Sequence, residues 1–140
     1  MEARQSKDLV TTQYRNVLGP LTEVGTFAFS NGAWSGCGDF GGRAQYEVTG
    51  RIDPDPEDVG PLVDRVVDRL AAAGVRVRRI HPQDKDPVTF TVVRDGVTIE
   101  LYGYALDPYV LFDVFGQCIE MDDLARELID AGQTSLDPGR

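Results

Sequence analysis

Apolar positions recur along the chain with two different periods. Val10, Tyr14, Val17, Leu18 and Leu21 form one stripe at helical spacing. With Ser6 as a cap and Gly19-Pro20 as a stop, they predict a helix from Ser6 to about Leu18. Residues 25–30 read as a short strand, and residues 31–42 as a glycine-rich loop. Beyond that loop, Ala44, Tyr46, Val48 and Ile52 alternate with Gln45, Glu47, Thr49 and Arg51, the pattern of a half-buried strand.

A second helix is predicted over 55–73. Asp55 would cap it, Pro56 would take its first turn, and Glu57 and Asp58 would face the positive end of its dipole. Its apolar face comprises Val59, Leu62, Val63, Val66, Val67, Leu70 and Ala71, and Gly74 ends it. Four strands follow, over 75–80, 87–94, 97–105 and 108–116, with Asp95-Gly96 as a hairpin turn between the second and third. In the third, Val97, Ile99 and Leu101 point to one side and Thr98, Glu100, Tyr102 and Tyr104 to the other. A last helix covers 121–131, ended by Gly132.

This order predicts the α+β class: an antiparallel-rich sheet with helices packed mainly on one face. The 55–73 helix is expected to bury Val63, Val66, Val67 and Leu70 against Phe90, Val97, Ile99 and Leu101. A length of 140 residues with 41% hydrophobic residues suits a single domain, here 7–131. Residues 1–6 are expected as a flexible lead and 132–140 as a flexible tail.

A formal charge of −9 disfavours nucleic acid, whose phosphates are neutralised by Lys and Arg. No apolar run is long enough to span a bilayer, and the N-terminus lacks the features of a signal peptide. Gly36 to Gly41 matches the letters of a dinucleotide-binding loop. The segment after it is strand-like where a helix is required, and Asp39 would oppose the phosphates. The acidic run Asp53, Asp55, Glu57, Asp58 lacks the glycine and glutamate of a calcium loop and reads as helix capping.

His81 is the only histidine and precedes Pro82, which reads as a turn residue; with it as the sole imidazole, no catalytic residue is assigned. Two cysteines, Cys37 and Cys118, without Cys-x-x-Cys spacing, argue against zinc, so no metal or other cofactor is expected. The pair is either a long-range disulfide, which points to an oxidising compartment, or two buried thiols. Trp34 reads as packing near Cys37 or as a contact residue. Tyr102 and Tyr104, with Thr91 and Asp113 on neighbouring strands, form a candidate binding surface unless the first or last helix covers them.

The sequence Trp34-Ser-Gly-Cys-Gly-Asp-Phe, the amphipathic helix ending Ala-Ala-Ala-Gly74, the Val-Thr-Ile-Glu-Leu strand and the late Gly-Gln-Cys118 occur in an order that resembles small actinobacterial cell-envelope lipoproteins of the LppA type. The resemblance implies export, a Cys37–Cys118 disulfide and a lipid anchor. No cysteine stands near Met1, so a lipidated residue would lie upstream. The resulting expectation is a non-enzymatic extracytoplasmic domain that binds a protein or envelope component. The alternative is a cytoplasmic acidic partner-binding protein of the immunity or antitoxin kind, its charge matched to a basic partner.

Overall fold

A computed structural model describes residues 2–39, 41–57, 60–80, 88–104 and 108–139. Helix α1 (Ala3–Gln13) opens the chain and widens into a π-turn (Tyr14–Leu18) and then a 3-10 turn (Gly19–Glu23). Strands β1 (Gly25–Gly36) and β2 (Arg43–Pro54) form a long hairpin, followed by α2 (Leu62–Ala72) and the short β3 (Arg78–Arg79). Strands β4 (Val88–Arg94), β5 (Val97–Gly103), β6 (Val110–Phe115) and β7 (Ile119–Glu120), helix α3 (Asp123–Asp130) and β8 (Thr134–Ser135) complete it. The strands form one sheet in the order β3-β4-β5-β6-β2-β1-β8, with β7 also paired to β2, and every pairing is antiparallel. The fold is α+β.

Alternation decides the layers. Tyr46, Val48, Ile52, Phe90, Val92, Val97, Ile99, Leu101, Val110, Phe112 and Val114 all point to one side and are buried. There they meet Val10, Tyr14 and Leu18 of the first helical stretch, Leu62, Val66 and Leu70 of α2, and Ala125 of α3, in one core. The anticipated contribution of α2 holds in part: Val66 and Leu70 are fully enclosed in this core, whereas Val63 and Val67 lie at its margin. Each such aliphatic side chain contributes roughly 1.5–3 kcal/mol on burial. Among the described residues no helix is long and apolar enough to cross a membrane.

Several boundaries differ from the sequence expectation, each for a local reason. The first helix begins at Ala3, so Ser6 lies inside it rather than capping it. Ser6 is buried and faces Gly116 closely, so that a Cβ built on Gly116 would approach Ser6 Oγ to 3.0 Å. Gly19-Pro20 does not stop the helical path; Pro20 sits in the first turn of the 3-10 segment, where a missing N–H costs nothing.

The first half of the expected loop 31–42 is strand. Asn31, Ala33 and Ser35 pair with Thr49, Glu47 and Gln45, and the pairing runs out to Gly36 opposite Ala44. Gly32 is there for clearance: a Cβ would overlap the Tyr46 hydroxyl.

Helix α2 starts at Leu62, not Asp55, because β2 stays paired to β1 as far as Pro54 and Gly60 takes a positive φ of 111° before Pro61. Asp55 instead accepts a hydrogen bond from Thr26 Oγ1 at 3.0 Å. The strand expected over 75–80 reduces to Arg78–Arg79. At the C-terminus, β8 pairs with Asn31 and Gly32, and Pro138 is buried, so much of the expected tail is packed.

The Asp95-Gly96 hairpin is as expected, both residues having positive φ, 51° and 77°. Gln13 Nε2 donates to Asp95 Oδ2 at 2.9 Å and fastens that turn to α1.

Candidate functional site

Because the helices collect on one side, the second face of the sheet is left open among the described residues. Its side chains follow from register. Thr91 lies opposite Glu100, Glu100 opposite Asp113, Asp113 opposite Thr49 and Thr49 opposite Asn31, a polar row crossing five strands. One step along, Thr98, Phe115, Glu47 and Ala33 form a second row. On the other side of the first row, Tyr102, Leu111, Arg51 and Phe29 form a third.

Three carboxylates, Glu47, Glu100 and Asp113, therefore share the middle of this face. Tyr102 donates its hydroxyl proton to Glu100 Oε2, and Ser35 Oγ donates to Glu47 Oε2 at 3.4 Å. Burial holds the Asp113 carboxyl above its usual range, and the charges of Glu47 and Glu100 push it the same way. Tyr102 is raised well above the usual phenol value by burial first, then by its bond to Glu100 and by the charges of Glu100, Asp113 and Glu47. Neither salt bridge among the described residues involves any of the three carboxylates.

The same face holds a cation a few residues away. Arg51 Nε donates to Asp53 Oδ1 at 2.7 Å, and its guanidinium lies 4.3 Å from the centroid of the Tyr109 ring. Tyr109 packs on Tyr104 with centroids 4.9 Å apart. Leu111 and Phe115 are half-buried, while Phe29 and Val93 are 46% and 66% exposed and give the flanks apolar character. The face is thus a mixed surface, acidic in the middle and aromatic along one side.

Of the residues selected from sequence, Tyr102, Tyr104 and Asp113 lie together on this face, and neither α1 nor α3 covers them. Trp34 does not belong with them. It points to the core side, is 8% exposed and meets the Tyr46 ring edge-on at 5.4 Å. The strand pairing that absorbed the first half of the expected loop also fixed Trp34 inward, opposite Tyr46. Glu47, Glu100, Arg51 and Tyr109 join the site without having been selected. Alternation placed Glu47 and Arg51 on the polar side of β2 and Glu100 beside Tyr102; only cross-strand register unites them. His81 lies outside the described residues.

Cys37 and Cys118 form a disulfide, with Cα atoms 5.8 Å apart, tying the tip of the β1–β2 hairpin to the chain entering β7. Cys118 is exposed and Cys37 half-buried, a placement compatible with an oxidising environment, where an accessible bond persists. A concavity of about 1040 Å³ lies beside this tip against α3, remote from the tyrosine face. Its lining carries the carboxylates of Asp39, Asp122, Asp123, Glu127 and Asp130 together with Arg43 and Arg126, so it is acidic with two cations built into it. Comparison of the chain with protein-family models, curated proteins and solved structures returns no match.

Proposed function

We propose that this chain is a non-enzymatic extracytoplasmic domain, tethered to the cell envelope as a lipoprotein, that binds a protein or envelope component through the open face of its sheet. The observation that carries the reading is the one-sided packing. Helices α1, α2 and α3 serve one core, and among the described residues a face bearing Tyr102, Tyr104, Asp113, Phe29 and Val93 is left open to solvent. The accessible Cys37–Cys118 disulfide supports the compartment, and the order of motifs resembling LppA-type lipoproteins supports the tether.

A photoreactive side chain placed at Thr49 or Thr98 on the open face, and at Asp64 or Asp68 on the exposed side of α2, tests the binding surface in the producing cells. The reading expects a discrete adduct from Thr49 and Thr98 only. Adducts from α2 alone, or from neither side, overturn it. Alkylation of freshly lysed cells tests the compartment: two reactive thiols in the undenatured, unreduced protein overturn export.

A further inference from the structure

The open face contains one arginine already held by an aromatic ring and a carboxylate, and beside it a second set of the same groups without a cation from the described residues. Arg51 lies over Tyr109 and pairs with Asp53. Leu111 separates Arg51 from Tyr102 in the same row, and Tyr102 is bonded to Glu100, with Asp113 opposite Glu100 and Glu47 one row further on. We infer that the middle of this face takes an arginine side chain from a basic partner protein, its guanidinium received by Glu100, Asp113 and Glu47 beside the Tyr102 ring.

This rests on the reading of the face as a binding surface and adds the chemistry of the occupant. Three carboxylates on one sheet face repel one another, and like charges on facing positions destabilise a strand pair. A guanidinium is the group that relieves them most completely, since it is permanently charged, offers several donors in one plane and lies well against an aromatic ring. Lysine offers a strongly hydrated point charge and no plane. A second copy of this chain, itself at −9, would bring more negative charge to the same place. Phe29 and Val93, exposed at two sides of the acidic centre, give a protein partner apolar area that a free small cation would not use.

The test is titration of the intact, oxidised protein with a short peptide of alternating arginine and glycine, beside its lysine and glutamate counterparts, followed by backbone amide shifts. The expected result is shifts confined to β2, β5 and β6, with the arginine peptide several-fold tighter than the lysine peptide and the glutamate peptide silent. The combined variant Glu47→Gln, Glu100→Gln, Asp113→Asn should weaken binding about tenfold or more, the loss expected from a charge-assisted hydrogen bond. Asp123→Asn with Asp130→Asn, in the groove beside α3, should leave it unchanged. If the triple variant does not fold, the salt dependence of the unaltered protein replaces it, with affinity expected to fall steeply as salt rises.

Equal binding of the arginine and lysine peptides, shifts mapped elsewhere, or affinity indifferent to both the triple variant and salt overturns the inference. A photo-adduct at Thr49 or Thr98 that persists undiminished in the triple variant leaves the binding face standing and defeats only the arginine. Loss of adducts from the unaltered face defeats the underlying reading itself.

Discussion

Asp113 stands directly across the β5–β6 pair from Glu100, and its carboxyl is raised above 3.8 by burial and by the charges of Glu47 and Glu100. The folded state therefore holds the Asp113 proton more tightly than the unfolded chain does. Ionised Asp113 is a cost to stability. That cost is absent below the unfolded value of 3.8, grows as pH rises through the raised folded value, and is complete above it. Asp113→Asn should accordingly stabilise the protein at neutral pH by up to about 1 kcal/mol, discounted because the carboxyl is half-exposed and solvent-screened. Urea melts of the two proteins should diverge from acid to neutral pH; a variant less stable at pH 7 would contradict the assignment.

The disulfide joins residues 81 apart in sequence. Closing a loop of that length removes conformational freedom from the unfolded chain, which the chain-entropy estimate puts at about 4–5 kcal/mol. Cys37→Ser with Cys118→Ser should lose a large part of this, read as a lower urea midpoint. Because Cys118 is exposed, a thiol reductant should reach the bond in the folded protein and lower the unaltered midpoint to match the variant.

Much of the architecture was legible because period-2 alternation states which side of a strand is inward without reference to the partner strand. Val97, Ile99 and Leu101 against Glu100 and Tyr102 fixed both faces of β5, and Asp95-Gly96 fixed its hairpin. Glycine was the ambiguous signal. In residues 31–36 the composition pointed to a loop, whereas Gly32 exists to admit the Tyr46 hydroxyl inside a continuous strand. The same ambiguity left Trp34 open between packing and contact, and strand pairing turned it inward to pack on Tyr46. The capping signals at Ser6 and Asp55 were overridden by tertiary demands, close passage against Gly116 in one case and continued β1–β2 pairing in the other. The carboxylate trio required register, since Glu47, Glu100 and Asp113 come from three strands widely spaced in sequence.

Gly50 makes the distinction between loop glycine and packing glycine measurable. A Cβ there would overlap both the Phe112 ring and the Phe29 carbonyl oxygen, and the latter is backbone that cannot turn aside. Gly50→Ala should cost about 1–3 kcal/mol, the range for an overpacked core position. Gly41, with nothing within 4 Å of a built Cβ, is the control, and Gly41→Ala should stay within about 0.5 kcal/mol of the parent. Equal effects at the two positions would mean that β1, β2 and β6 are less closely packed than the structure shows.

Trp34 supplies a reporter on the opposite side of the sheet from the candidate surface. As the single tryptophan, 8% exposed and edge-on to Tyr46, it should emit at short wavelength, resist quenching by acrylamide and shift to long wavelength only on unfolding. Its indole is separated from Glu100, Asp113 and Tyr102 by the thickness of the sheet, since inward and outward side chains alternate along each strand. Saturation with an arginine-rich peptide should therefore leave the emission maximum unchanged while amide shifts move in β5 and β6. Quenching of Trp34 in proportion to bound peptide would place the contact on the core side or at the disulfide tip. That would restore Trp34 as a contact residue at the expense of the tyrosine face. Replacing Trp34 by phenylalanine should lower stability by about 1–3 kcal/mol through lost packing and leave peptide affinity intact, because packing and binding are carried by opposite faces of the same strands.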